Sequence, residues 1–282
     1  MTVEVEYMIQ NDNLTDEFYS NLIDPDRLME TWILFSTPVL IITLISYFLF
    51  VFKLGPMYME KRSPYKLKTV MRLYNVVQII YNSTIVYNFL VPQVGVMPLP
   101  FLTRISCSVP KPFEGLDYLK SLYIYGAWHF QMLKNLDLLD TVFMVLRKKN
   151  SHITFLHVYH HAAMVFFPWF SLRFIKASQG SIPVFINLIV HAIMYSYYFL
   201  TTFKAFKKYL WWKHHLTKLQ LFQFVVILAY ISILYYKQCP ISRSFTYIWL
   251  ANVFFILCLF LNFYIKSYIV KGSDVKNKDK VT

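Results

Sequence analysis

The sequence predicts an all-α polytopic membrane protein with seven transmembrane helices, and three observations predict it. Hydrophobic residues make up 57% of the 282 and charged residues only 15%, where a soluble domain carries about a quarter charged. Seven stretches are free of charge, or nearly so, and long enough to cross the hydrocarbon core, which takes ~20 helical residues. Basic residues gather in alternate connections between those stretches, the pattern that fixes orientation in a bilayer. Helix is the expected state because backbone groups at that depth find no water, and a helix satisfies them within one segment.

Residues 1–31 read as an acidic arm: Glu4, Glu6, Asp12, Asp16, Glu17, Asp24, Asp26 and Glu30 are eight of the fifteen Asp and Glu. The arm lacks the basic start and short apolar core of a cleaved signal peptide, so helix 1, Trp32–Phe52, is expected to insert as an uncleaved anchor. Lys53, Lys61, Arg62, Lys66 and Lys68 follow it, and helix 2 covers Leu73–Val91. Helix 3, Leu119–Leu146, is followed by Arg147, Lys148 and Lys149; helix 4 covers Ile153–Leu172. Helix 5, Val184–Phe203, precedes Lys204, Lys207, Lys208 and Lys213; helix 6 covers Leu219–Tyr236. Helix 7, Phe245–Ile265, closes the 32–268 transmembrane domain, and 269–282 is a basic tail.

The positive-inside rule assigns these basic regions to the cytosol and the N-terminus to the lumen or exterior. An odd number of crossings then leaves the lysine-bearing tail cytosolic. The same topology places Cys107 and Cys239 in two non-cytosolic loops, where oxidation is permitted, and predicts a disulfide between them. Asn13-Leu14-Thr15 fits a glycosylation acceptor on that side. Cys258 is expected to be an inert core thiol. No repeat of 20 to 50 residues and no low-complexity linker interrupts the chain, and no nucleic-acid partner is expected.

Ionisable groups at membrane depth are costly and usually mark a functional path. Four clusters qualify. On helix 3, Lys134, Asp137 and Thr141 fall three and four apart and share a face, with Asp140 beside them; a buried ion pair is the structural alternative. On helix 4, His157, His160 and His161 fall at i, i+3 and i+4 and project their imidazoles together. On helix 5, His191 and Tyr195 share a face, with Asn187 one turn earlier. Helix 6 opens with Thr217, Gln220 and Gln223, for which interhelical hydrogen bonding is the default role. These groups are expected to form one neighbourhood toward the cytosolic ends of helices 3, 4 and 6, with His191 deeper.

Three function classes compete. A seven-helix receptor shares the topology, but the chain has neither Asp-Arg-Tyr after helix 3 nor Asn-Pro-x-x-Tyr in helix 7. A histidine-box di-iron lipid desaturase or hydroxylase would use His-x-x-His-His, since imidazole suits iron. Such a site needs several boxes, however, and the eight histidines supply one; His214-His215 is read as loop. The third class is a lipid acyltransferase.

Here four motifs, in order, resemble those of the ELO family of very-long-chain fatty acid elongases, the 3-oxoacyl-CoA synthases. His157–His161 resembles its His-x-x-His-His box, and Lys134–Thr141 is similar to its Lys-x-x-Glu-x-x-Asp-Thr. His191–Tyr195 matches His-x-x-Met-Tyr, and Thr217–Gln223 matches Thr-x-x-Gln-x-x-Gln. The likeness runs through "LDTVFMVLRKKNSHITFLHVYHH" and "IMYSYY", strongest from Asp117 to Phe224. Asp137 departs from it, holding the carboxylate one methylene short of the family's Glu.

The resemblance implies condensation of a long-chain acyl-CoA with malonyl-CoA to a 3-oxoacyl-CoA two carbons longer, with release of CO2 and CoA. It implies a six-helix barrel of helices 2–7 around an acyl tunnel, with His160 as acyl acceptor and His191 acting at the malonyl step. A neutral imidazole is a suitable nucleophile at cytosolic pH. His157 and His161 would relay protons; Asn187, Tyr195 and Gln220 would donate to developing oxyanions; Lys134, Asp137 and Asp140 complete the site, the first two holding helices in register. Arg147, Lys148, Lys149, Lys204, Lys208 and Gln223 are the substrate-binding candidates, the basic ones for CoA phosphates. No metal or cofactor is expected. The tail lysines, which resemble a dilysine retrieval signal, suggest the endoplasmic reticulum. Reductases and a dehydratase of an elongation cycle are the expected partners, and a homodimer is open.

Overall fold

The structure, a computed structural model, describes residues 36–96, 116–171, 173, 181–239 and 242–270. The acidic arm with Asn13, the loop carrying Cys107 and the tail from residue 271 lie outside the described residues. Among the described residues the regular structure is entirely helical. In chain order it comprises α1 (Thr37–Met59), α2 (Lys68–Val96), α3 (Leu116–Leu146), α4 (Phe155–Phe170), α5 (Ser181–Thr201), α6 (Lys213–Tyr236) and α7 (Arg243–Tyr264).

By length and composition α1, α5, α6 and α7 can cross a membrane, the last continuing to Val270. Of the seven crossings expected from the sequence, these four meet that length and hydropathy among the described residues; the other helices are shorter or more polar. α4 has only 16 residues, about 24 Å of rise. α2 and α3 carry buried polar rows: Asn75, Gln78 and Asn82 on one, and Gln131, Lys134, Asp137 and Thr141 on the other. Large apolar side chains such as Ile42, Phe52, Phe222 and Phe254 are exposed on the outer faces, as suits a lipid-contacting multi-pass membrane protein.

Several boundaries differ from the charge-based ones. α1 runs seven residues past Phe52, through a π-helical turn at Phe50–Leu54, so Lys53 lies within the helix and is exposed. Its flexible stem lets the ammonium reach water from there. α6 begins at Lys213, and His214-His215 therefore belongs to its first turn rather than to a loop. Hydropathy missed this turn because a helix projecting beyond the hydrocarbon need not be apolar. Cys258 is exposed on α7 as a free thiol, not in the core. Cys239 is buried and disulfide-bonded.

The helices fall into two compact units. The first holds α1, α3 and α4. Leu40, Tyr47 and Val51 pack with Leu138 and with Val158, Val165 and Trp169. Thr141 meets His157 while Gln131 meets Val165, so α3 and α4 are antiparallel. Tyr47 meets Thr141 and Gly55 meets Val145, so α1 runs with α3. Gly55 permits that approach: a Cβ there would lie 2.7 Å from both the Phe50 carbonyl oxygen and the Val145 Cγ1.

α3 ends in a Schellman motif, with the Lys149 amide donating to the Met144 carbonyl and the Lys148 amide to that of Val145, both at 2.9 Å. Lys148 takes the left-handed position (φ 52°) that usually favours glycine. Its ammonium donates to the Glu60 carbonyl at 3.2 Å, and the Tyr65 amide to that of Leu146 at 3.0 Å. The two basic connections of this unit are thereby tied together.

The second unit holds α2 up to Val86, α5 from Phe185, α6 and α7. Arg72 donates to the Thr202 hydroxyl and carbonyl at 3.0 and 3.1 Å, and Tyr74 meets Tyr195, an order that makes α2 and α5 antiparallel. Tyr195 and Tyr197 pack with Leu216 of α6 and Ile79 of α2. The rings of Phe224 and Phe260 lie 5.0 Å apart, and those of Tyr235 and Tyr247 5.5 Å, so α6 and α7 form an antiparallel pair.

Candidate functional site

The imidazoles of α4 owe their placement first to a cap. Thr154 takes extended backbone and its side chain accepts from the His157 amide at 3.2 Å, satisfying an orphan donor of the first turn. The helix therefore starts so that His157, His160 and His161 share one side. The His157 and His161 rings lie 4.3 Å apart and those of His160 and His161 5.9 Å. All three are half-buried.

Opposite them, α3 presents its polar face. The Thr141 hydroxyl lies 2.9 Å from His157 Nε2 and 2.9 Å from the Tyr47 hydroxyl. A buried phenol must place its proton on an acceptor, and Thr141 is the hydroxyl within reach. Tyr47 therefore donates to Thr141, and the Thr141–Nε2 contact runs in the direction the His157 tautomer sets. A second tie, from Gln131 Nε2 to the Val165 carbonyl at 3.1 Å, holds α3 against α4 one face further along.

Lys134 and Asp137 form a buried ion pair of 2.9 Å, both almost wholly shielded. Both partners sit on α3, three residues apart. Along α3 the pair lies between the Gln131–Val165 and Thr141–His157 contacts to α4. The shorter Asp137 ends on its own helix's lysine, and Lys134 also lies 5.0 Å from the centre of the Phe130 ring. Asp140 is half-buried on the same helix.

The second unit carries its own polar cluster. Asn187 and His191 are buried and Tyr195 is fully so, spaced by four along α5. The His191 and Tyr195 rings are 5.8 Å apart. On α6, Gln220 Nε2 reaches the Met194 sulfur at 3.4 Å, Thr217 meets the Tyr268 hydroxyl at 3.3 Å, and Gln223 is buried. Among the basic candidates, Lys149, Lys204 and Lys208 are exposed and Arg147 is half-buried, while Lys148 is engaged with Glu60.

Sequence reasoning missed Tyr47 and the polar row of α2. Tyr47 carried no signal, because an apolar-flanked tyrosine in α1 looks like any membrane residue. Tyr74, Asn75, Gln78 and Asn82 of α2 did carry one, since Tyr74, Gln78 and Asn82 recur at four-residue spacing in an otherwise apolar helix.

Among the described residues the helices, with exposed apolar faces and buried polar side chains, are those of a multi-pass membrane protein. The chain belongs to the ELO family, described as the GNS1/SUR4 family, whose pattern matches residues 33–276. It is 37% identical over 263 residues to very long chain fatty acid elongase 7 of Rattus norvegicus, covering 90% of each chain. To very long chain fatty acid elongase 4 of Homo sapiens it is 32% identical over 262 residues, covering 91% of this chain and 80% of that one. To very long chain fatty acid elongase F of Drosophila melanogaster it is 38% identical over 241 residues, covering 84% and 91%.

Proposed function

We propose that the protein is a 3-oxoacyl-CoA synthase, an acyltransferase that condenses a long-chain acyl-CoA with malonyl-CoA in the first step of very-long-chain fatty acid elongation. The observation that carries this is the imidazole trio of α4, capped by Thr154, anchored through Thr141 and set near a buried ion pair, in a chain whose relatives are named elongases.

In this reading a neutral His160 nitrogen attacks the thioester carbonyl carbon. The carbon–sulfur bond breaks and CoA departs, leaving an acyl-imidazole. Malonyl-CoA then loses CO2, and the resulting enolate attacks the acyl carbonyl. The carbon–nitrogen bond breaks, which releases the 3-oxoacyl-CoA and returns His160 to its starting state. His157, its Nε2 committed to Thr141, orients its neighbours; His161 relays protons. His191 serves the malonyl step, and Asn187, Tyr195 and Gln220 donate to the developing oxyanions. The exposed lysines and Arg147 hold the CoA phosphates.

The rest of the proposal concerns setting. It comprises seven crossings with helices 2–7 as a barrel, residence in the endoplasmic reticulum, a luminal N-terminus and a cytosolic C-terminus. It also includes a Cys107–Cys239 disulfide, a glycan on Asn13, and the reductases and dehydratase that would complete the cycle.

Intact-mass measurement after incubation with acyl-CoA alone tests the central step. The wild type gains one acyl group and His160→Ala gains none. An adduct of equal occupancy on His160→Ala would overturn the assignment.

A further inference from the structure

We infer that Tyr74, Gln78 and Asn82 of α2 are positioning residues for Tyr195, forming a directed hydrogen-bond chain that fixes where the Tyr195 proton points. The inference rests on the proposal that Tyr195 donates to an oxyanion during condensation.

Direction is set at the far end of the chain by a group that cannot reverse. The Gln78 backbone carbonyl only accepts, so the Asn82 atom facing it at 2.7 Å is the donor Nδ2. That same Nδ2 lies 3.3 Å from the Gln78 side chain, which must therefore present Oε1. With its oxygen so placed, Gln78 turns Nε2 to the Tyr74 hydroxyl, 3.0 Å away. The Tyr74 oxygen thus accepts from Gln78, and in the 3.3 Å contact with the Tyr195 hydroxyl, where either phenol can donate, the relay has Tyr74 as the donor. With Tyr74 donating, the Tyr195 proton points onward rather than back to Tyr74. Each donation polarises the next group, so the chain also makes the terminal phenol a better donor.

Three of the four residues are shielded and Tyr74 is half-buried. Gln78, Asn82 and Tyr195 are each at most 1% exposed. The Tyr74 and Tyr195 rings meet edge to face at 5.7 Å, a geometry that keeps the two hydroxyls together. α2 and α5 are antiparallel, and the contacts between them place Tyr74 at Tyr195 and Arg72 at Thr202.

The test is a double-mutant cycle on purified full-length protein, with turnover read from labelled malonyl-CoA at varied acyl-CoA. Tyr195→Phe should lower kcat by roughly 100-fold, the usual loss of one oxyanion donor. Tyr74→Phe should lower kcat by roughly tenfold, with the KM for acyl-CoA unchanged and no further loss when combined with Tyr195→Phe. Gln78→Met, which keeps the length and removes the donor, should behave as Tyr74→Phe does and reads the same cycle if that variant folds poorly. Equal losses from the α2 substitutions in both backgrounds, or a slow Tyr195→Phe beside fully active α2 variants, would overturn the relay alone. A fully active Tyr195→Phe would overturn the oxyanion role and the relay together.

Discussion

Replacing Thr141 by valine removes one hydroxyl and keeps the side chain's volume, so it isolates the link between α1, α3 and α4. Two bonds of 2.9 Å are lost together. The phenol they leave behind belongs to Tyr47, only 5% exposed, so no bulk water replaces its partner. Interhelical hydrogen bonds within bilayers contribute about 0.6 kcal/mol each and at most ~1.7. Stranding a buried polar group costs about 1–3 kcal/mol. Taken together, Thr141→Val should destabilise by about 2 kcal/mol, which for a chain of this size lowers the melting midpoint by roughly 4–8 °C.

Intrinsic fluorescence of the detergent-solubilised protein during heating reads that shift, and labelled malonyl-CoA incorporation reads turnover. Thr141→Ser, which keeps the hydroxyl, should recover most of both. Tyr47→Phe removes the group that Thr141→Val strands, so the double variant should be less destabilised than the sum of the singles, by about 1 kcal/mol. A Thr141→Val protein melting with the wild type, or a cycle that is strictly additive, would refute the chain running from Tyr47 through Thr141 to His157.

Two further predictions concern the same unit. Gly55→Ala places a methyl 2.7 Å from a backbone oxygen and from Val145, and should cost about 1–3 kcal/mol of stability. Adding Val145→Ala should restore only part of the melting temperature, because the Phe50 carbonyl cannot move aside as a side chain can. Lys134→Met leaves the Asp137 carboxylate buried without its ammonium, which should cost about 3–5 kcal/mol and show as lost folded yield. The Lys134→Met, Asp137→Leu double variant should recover most of that yield while remaining slow in turnover; a well-folded Lys134→Met single would contradict the buried pair.

How much of this was legible beforehand depends on the distance along the chain over which each feature is decided. The i, i+3, i+4 spacing of His157, His160 and His161 and the shared face of Lys134 and Asp137 follow from helical periodicity alone, and both stand in the structure. That Lys134 turns to Asp137 of its own helix is a choice of rotamer and surroundings, which spacing does not fix. The first turn of α6 escaped because hydropathy marks the lipid-embedded part of a helix, and His214 and His215 lie at its polar start. Cys258 was misjudged for a related reason: in a membrane protein, apolar neighbours in sequence do not say which face meets lipid and which meets protein.

By itself the sequence determined the helical, membrane-embedded character of the chain and the local grouping of its polar residues. Apolar length and a 3.6-residue period act within a single segment. The tertiary structure alone decided the partners: Tyr47 at Thr141, 94 residues away, and Tyr74 at Tyr195, 121 residues away. Such pairs depend on which helices pack and in what register. A tyrosine in an apolar run has the same local pattern whether it faces lipid, a neighbouring ring or the proton of another phenol.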